Sequence, residues 1–186
     1  MPDYLITQMI DLEFFQEAMD RFFEATNVIR LGLKDPEGIT LVSAYQGGPS
    51  RACVLCRLIR TSSEGVQRCL KSDRRGVLLS RDKGSYVFYT CHAGMTDVAV
   101  PLFCDGQFIG ALMSGQFFFT PPTEETIEDI LNRMRGLPVE EEEVRQAIQQ
   151  VPVYSRERLD ASVRLVWILG QNIVDRELSL QRKTEI

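Results

Sequence analysis

Cys53, Cys56, Cys69 and Cys91, four of the five cysteines, fall within residues 53–91, and the single histidine, His92, adjoins the last. Thiols and imidazole hold soft metals, attack electrophiles and change redox state. Four thiolates close a tetrahedral zinc site, and Cys53-x-x-Cys56 is the usual two-ligand clip, because one helical turn brings both sulfurs to one point. Cys69 and Cys91 supply the other two ligands in this reading. An iron–sulfur cluster uses the same four and makes the domain a redox or oxygen sensor. If Cys53 stands outside the set, His92 or a ligand atom completes it. A plainer reading stands beside these: free cysteines behave as small buried hydrophobes. Cys104, isolated before a turn, is best read that way. A reversible disulfide between Cys53 and Cys56 or Cys69 is a third option.

The adjacent Cys91 and His92 also suggest a nucleophile–base dyad. Neighbours in a strand point to opposite faces, however, and share no hydrogen bond. With no second histidine in the chain, an enzyme is not expected. His92 then either faces a ligand pocket, where its nitrogens hold a hydroxyl, or is a hydrogen-bonded residue at a strand-to-loop junction.

The elements that position these groups are legible as hydrophobic periodicity. Ile10, Phe14, Phe15, Met19, Phe22 and Phe23 recur at helical spacing, with Asp11 as cap. Val28 to Leu33 and Ile39 to Tyr45 read as two strands around the turn Asp35-Pro36-Glu37-Gly38. After a loop at Gln46-Gly47-Gly48-Pro49-Ser50 come a short helix, Cys53 to Arg60, and a second one. Thr61-Ser62-Ser63-Glu64 has the capping-box form that starts the latter, and it ends near Lys83-Gly84. Tyr86 to Thr90, Asp97 to Phe103 and Gln107 to Phe118 are strands. Asp105-Gly106 is a hairpin turn, Pro101 marks an edge or a bulge, and Gly110 and Gly115 mark close backbone approach or a bulge. Helices follow from Pro121 to Gly136, from Glu140 to Gln150, and from Ser155 through about Lys183. The apolar stripe of the last is Leu159, Val163, Val166, Trp167, Gly170, Ile173, Val174 and Leu178. Its first half is expected on the sheet and its second half in a projecting dimer helix.

The order helix, two strands, helices, three strands, helices gives an α+β fold: a PAS-like five-stranded antiparallel sheet with a helical excursion and C-terminal helices. Residues 1–154 are expected to form one unit and 155–186 a C-terminal signalling or dimerisation helix. The 186 residues are 44% hydrophobic and 25% charged, with net charge −5 and pI near 5.0. That balance argues against direct nucleic-acid binding, which needs basic patches. No apolar run of about 18 residues supports a membrane span, and Met1-Pro2-Asp3-Tyr4 does not open like a signal peptide. The expected location is cytoplasmic, where clustered cysteines are seldom structural disulfides.

Several phrases resemble the PocR sensory domain family. They are Asp11-Leu12-Glu13-Phe14-Phe15, Asp20 through Thr26, Asp35-Pro36-Glu37-Gly38, Cys56 through Arg60, Gly65 to Cys69, and Ser72-Asp73. The most specific are Tyr89-Thr90-Cys91-His92-Ala93-Gly94-Met95 and the downstream Gly115-Gln116; the family usually has Leu where Met95 stands. The resemblance runs from about Asp3 to Phe119, and more loosely into the helical tail. It implies a ligand-sensing module of prokaryotic transcription factors and signalling kinases. Its ligands are simple hydrocarbon derivatives such as small diols, and its partner is a DNA-binding or histidine-kinase output, here absent from the sequence. The sheet face is then expected to offer a pocket, for which Tyr86, Tyr89, His92, Met113, Ser114, Gln116 and Phe118 are candidates. Gln116, polar among Phe117 to Phe119, is the hardest of these to explain as core.

Overall fold

A computed structural model describes residues 6–26, 31–42 and 53–184. The expected strand residues 28–30 and 43–45 and the loop at 46–50 lie outside them. The helices are α1 (Ile6–Met9), α2 (Leu12–Thr26), α3 (Val54–Ile59), α4 (Ser63–Lys83), α5 (Glu124–Met134), α6 (Glu141–Ile148) and α7 (Arg156–Thr184). The strands are β1 (Gly32–Lys34), β2 (Thr40–Val42), β3 (Val87–Thr90), β4 (Thr96–Cys104) and β5 (Gln107–Phe117). All pairings are antiparallel, in the order β2-β1-β5-β4-β3. This is the PAS-like α+β arrangement, with α3 and α4 as the excursion between β2 and β3.

Local chemistry explains the element ends. Asp11 Oδ1 accepts from the N–H groups of Glu13 and Phe14 at 3.0 and 3.1 Å, satisfying free donors at the start of α2. The α4 cap falls one residue later than the capping-box pattern suggests. Ser62 Oγ accepts the Gly65 N–H at 3.0 Å, while the Thr61 hydroxyl donates back to the Leu58 carbonyl. Glu64 is thereby freed to pair with Arg68. Asp105 and Gly106 both have positive φ, 52° and 78°, as the tight hairpin between β4 and β5 requires. Pro101 sits in β4 beyond Ala99, where the β3 pairing ends, so it is paired with β5 alone; the register slips just after it, between Leu102 and Phe103.

The two sheet faces bury different material. Val98, Val100, Leu102, Leu112 and Phe117 join Ile6, Phe15, Leu159, Val163, Val166 and Val174 in the larger core under α1, α2 and α7. Tyr89, Ala99, Ala111 and Met113 face α4 through Val77. β4 is covered on both sides, and for that reason its sequence does not alternate. A third cluster joins α3, α5 and α6 to the β3–β4 turn, through Leu55, Met95, Ile130 and Ile148. Each such side chain contributes about 1.5–3 kcal/mol on burial.

α7 does not project. Val174 and Leu178 are buried in the larger core, and Arg182 pairs with Asp105 at 2.8 Å. Gln171 bridges the irregular end of β4, accepting from the Phe103 N–H at 3.1 Å and donating to its carbonyl at 2.6 Å. The Arg156 guanidinium sits between the rings of Phe88 and Phe119, 4.6 and 4.7 Å from their centroids. No helix is long and apolar enough to cross a membrane, among the described residues.

Candidate functional site

Between the sheet and the α3–α4 excursion lies a cavity of about 140 Å³. Its floor is β1, β2 and β5, through Lys34, Thr40, Met113 and Gln116, with Asp97 from β4. Its roof is Cys56, Ile59 and Arg60 of the α3 segment and Cys69, Ser72 and Asp73 of α4. The turn after β3 closes one end with Cys91, His92, Ala93 and Met95. That turn is tight, with Cys91 N–H donating to the Met95 carbonyl and Gly94 N–H to the Cys91 carbonyl. Strict strand alternation therefore stops at Cys91, and Cys91 and His92 both border the cavity.

Of the sequence candidates, His92, Met113, Ser114 and Gln116 line this space. Tyr86 is on the opposite face, where its hydroxyl donates to Asp160 Oδ1 at 2.7 Å and its ring meets Trp167 edge-on. Phe118 belongs to the third core cluster, and its backbone bonds Pro152 and Tyr154. Tyr89 points toward α4 but under it. Its ring lies so close to Gly76 that a Cβ there would meet it at 2.4 Å, and its hydroxyl faces Asp97 without completing a hydrogen bond.

Asp97, Lys34, Asp73 and Arg60 are site residues that the sequence reading missed. Lys34 Nζ bonds Asp73 Oδ2 at 3.0 Å and Thr40 Oγ1 at 2.9 Å, tying β1 and β2 to α4 across the cavity wall. Asp97 is enclosed, and burial, followed by the nearby Asp73 carboxylate, pushes its pKa up to about 8. Among the described residues its hydrogen-bond partner is the Gln116 N–H, which donates to Oδ1 at 3.1 Å. Gln116 holds a left-handed φ of 71°, a conformation that non-glycine residues adopt at a cost. Its side-chain Oε1 accepts the Cys53 N–H at 2.9 Å, leaving the amide NH₂ for the cavity.

Gly115 makes this arrangement possible. A Cβ there would stand 1.7 Å from Asp97 Oδ1, so Gly115→Ala must displace the carboxylate and break its bond to Gln116. We expect a loss of about 1–3 kcal/mol in denaturant unfolding, the usual range for overpacking. A melt within error of wild type would refute this packing.

The four thiols divide. Cys53 caps α3, its sulfur accepting from the Cys56 N–H at 3.4 Å. Hydrogen bonding to Cys56 lowers the Cys53 pKa, and the same contact together with burial raises that of Cys56. Burial also raises Cys91 and Cys69. Cys69 Sγ lies 3.2 Å from His92 Nε2, and Arg60 lines the same cavity. Burial, with Arg68 nearby, lowers the His92 pKa, and among the described residues the buried ring Nδ1 has no partner. Among the described residues no group of three or more His, Cys, Asp or Glu side chains is placed to hold a metal ion. Cys104 is fully buried in the larger core.

Comparison with known proteins places this geometry. A family model, the sensory domain found in PocR, matches residues 8–178. The regulatory protein PocR of Salmonella typhimurium is 30% identical over 127 residues, which cover 67% of this chain and 40% of that protein. The chain thus matches less than half the length of that relative. No solved structure matches. Since the matched span takes in the cavity, the sheet and nearly all of α7, the chain belongs to the PocR sensory domain family.

Proposed function

We propose that the cavity binds a small, neutral, hydroxyl-bearing organic molecule such as a short diol, and that occupancy is relayed to a transcriptional or kinase output. The observation that carries this reading is a cavity small enough for a few carbon atoms, bordered by Asp97, Gln116, Ser72 and His92 beside apolar Ile59 and Met95. A protonated Asp97 carboxyl donates to a hydroxyl oxygen, the Gln116 amide donates to another, and the apolar side chains take the alkyl portion. The chain acts by binding rather than catalysis, in the cytoplasm.

Relay runs through the sheet. β4 and β5 wall the cavity on one face and carry α7 on the other, where Tyr86–Asp160, Arg156 and Gln171 fasten the helix. A ligand that prefers one sheet geometry biases the helix by the difference in its affinity for the two states. The output module, and a second copy met through α7, are the partners this reading needs. Two- to four-carbon diols screened by thermal shift test it. At least one should raise the melting temperature of the wild-type chain but not of Met113→Trp, which fills the cavity. A flat response to the whole panel contradicts the reading.

A metal-centred redox sensor is the second reading, favoured by one observation: Cys56, Cys69 and Cys91 border one cavity, with Cys53 beside them. Elemental analysis after anaerobic purification decides it. Stoichiometric zinc or iron supports the metal, and none rejects it.

A further inference from the structure

Resting on the ligand-pocket reading, we propose that Cys69 captures a small aliphatic aldehyde from the cavity as a reversible hemithioacetal, with His92 relaying the proton and Arg60 facing the carbonyl oxygen. Cys56, Cys69 and Cys91 all border the cavity, but Cys69 is the one with a base in reach, His92 Nε2 at 3.2 Å. The turn that carries the imidazole is tied to the helix that carries the thiol, since the His92 backbone N–H donates to Ser72 Oγ at 3.1 Å. Arg60 lines the same wall of the cavity as Cys69. Among the described residues it has no carboxylate within ion-pair distance, and it borders the cavity in which an alkoxide would develop.

Nucleophile, base and cation together are the set that adds to a carbonyl. In the addition, the Cys69 S–H bond and the carbonyl π bond break while an S–C bond and an O–H bond form. The thiol proton passes to Nε2 and then to the new oxygen. Nothing is oxidised, reduced or expelled, so the step reverses when free aldehyde falls, as a sensor requires. A cavity of about 140 Å³ restricts the ligand to a short chain, and Ile59, Met95 and Val42 line its apolar part.

The test is carbon NMR of the intact chain with propanal labelled at the carbonyl carbon. A new tetrahedral-carbon signal should appear at one equivalent, disappear on dialysis, persist in Cys104→Ser and fall at least tenfold in Cys69→Ser. His92→Gln should slow its appearance while leaving the melting temperature near wild type. If Cys69→Ser does not fold, the wild-type chain still decides. Propanal should shield Cys69 from iodoacetamide in peptide mass spectrometry, and shielding of Cys56 or Cys91 instead overturns the assignment. So does an adduct that survives Cys69→Ser. Diol binding without any propanal adduct overturns this inference and leaves the pocket reading standing.

Discussion

Asp97→Asn should remove a fall in stability that the wild-type chain shows between about pH 4 and pH 8. Unfolded, the carboxyl releases its proton near pH 4; folded, burial holds the proton on up to about 8. Between those values the native state binds one proton more than the unfolded chain, so raising the pH favours unfolding. The stabilisation is complete below the unfolded pKa and is lost as the pH climbs through the folded one, at up to about 1.4 kcal/mol per unit. Asparagine keeps an oxygen for the Gln116 N–H but cannot ionise. Urea melts from pH 4 to 9 should therefore run flatter for Asp97→Asn, with the variant the more stable chain above pH 7. Parallel curves for the two proteins would show that Asp97 is not held protonated.

Lys34→Met should be the most damaging change to the cavity wall. The ammonium is nearly buried and bonds Asp73 and Thr40 at 3.0 and 2.9 Å, while the Asp73 side chain is 19% exposed. Removing the lysine leaves a mostly desolvated carboxylate without its ion-pair partner, a change that typically costs about 3–5 kcal/mol. The lower end applies here because Asp73 retains some solvent. Replacing both partners, as Lys34→Met with Asp73→Leu, should recover most of the loss. Equal destabilisation of the single and double variants, read from denaturant midpoints, would mean that the pair does not couple β1 to α4.

Local signals in the sequence mapped well onto the structure. The Asp105-Gly106 turn, the Asp11 cap and the close approach at Gly115 all depend on residues within a few positions or on backbone that only glycine allows. The same holds for the element order and thus the PAS-like sheet. What failed depended on tertiary partners. Tyr86 and Tyr89 were nominated together for the pocket, yet the strand's own alternation separates them: Tyr86 meets Asp160 and Trp167 on the far face. The second half of the last helix reads as projecting because the apolar stripe continues through Leu178. Instead, Gln171 and Arg182 hold its second half against the β4–β5 hairpin.

The missed charges left a signal that periodicity alone does not weigh. Lys34 follows Leu31-Gly32-Leu33, and Asp97 precedes Val98 to Leu102, so both are ionisable side chains at the ends of apolar strand segments. Such residues are rarely buried without a partner or a purpose. His92 gained its partner from α4, a contact between residues 23 apart that no spacing rule relates. Spacing groups the four thiols, and the contacts among them come from the tertiary fold: Cys53 caps α3 against Cys56, Cys69 meets His92, and Cys56, Cys69 and Cys91 border one cavity.

Titration of isotope-labelled protein with the strongest diol of the panel, followed by amide NMR, tests the central claim most directly. The account predicts saturable shifts concentrated at His92, Asp97, Met113 and Gln116, extending through Phe103 to Gln171 on α7, and absent from Met113→Trp. Shifts confined to the exposed surface, or none at saturating diol, would contradict it.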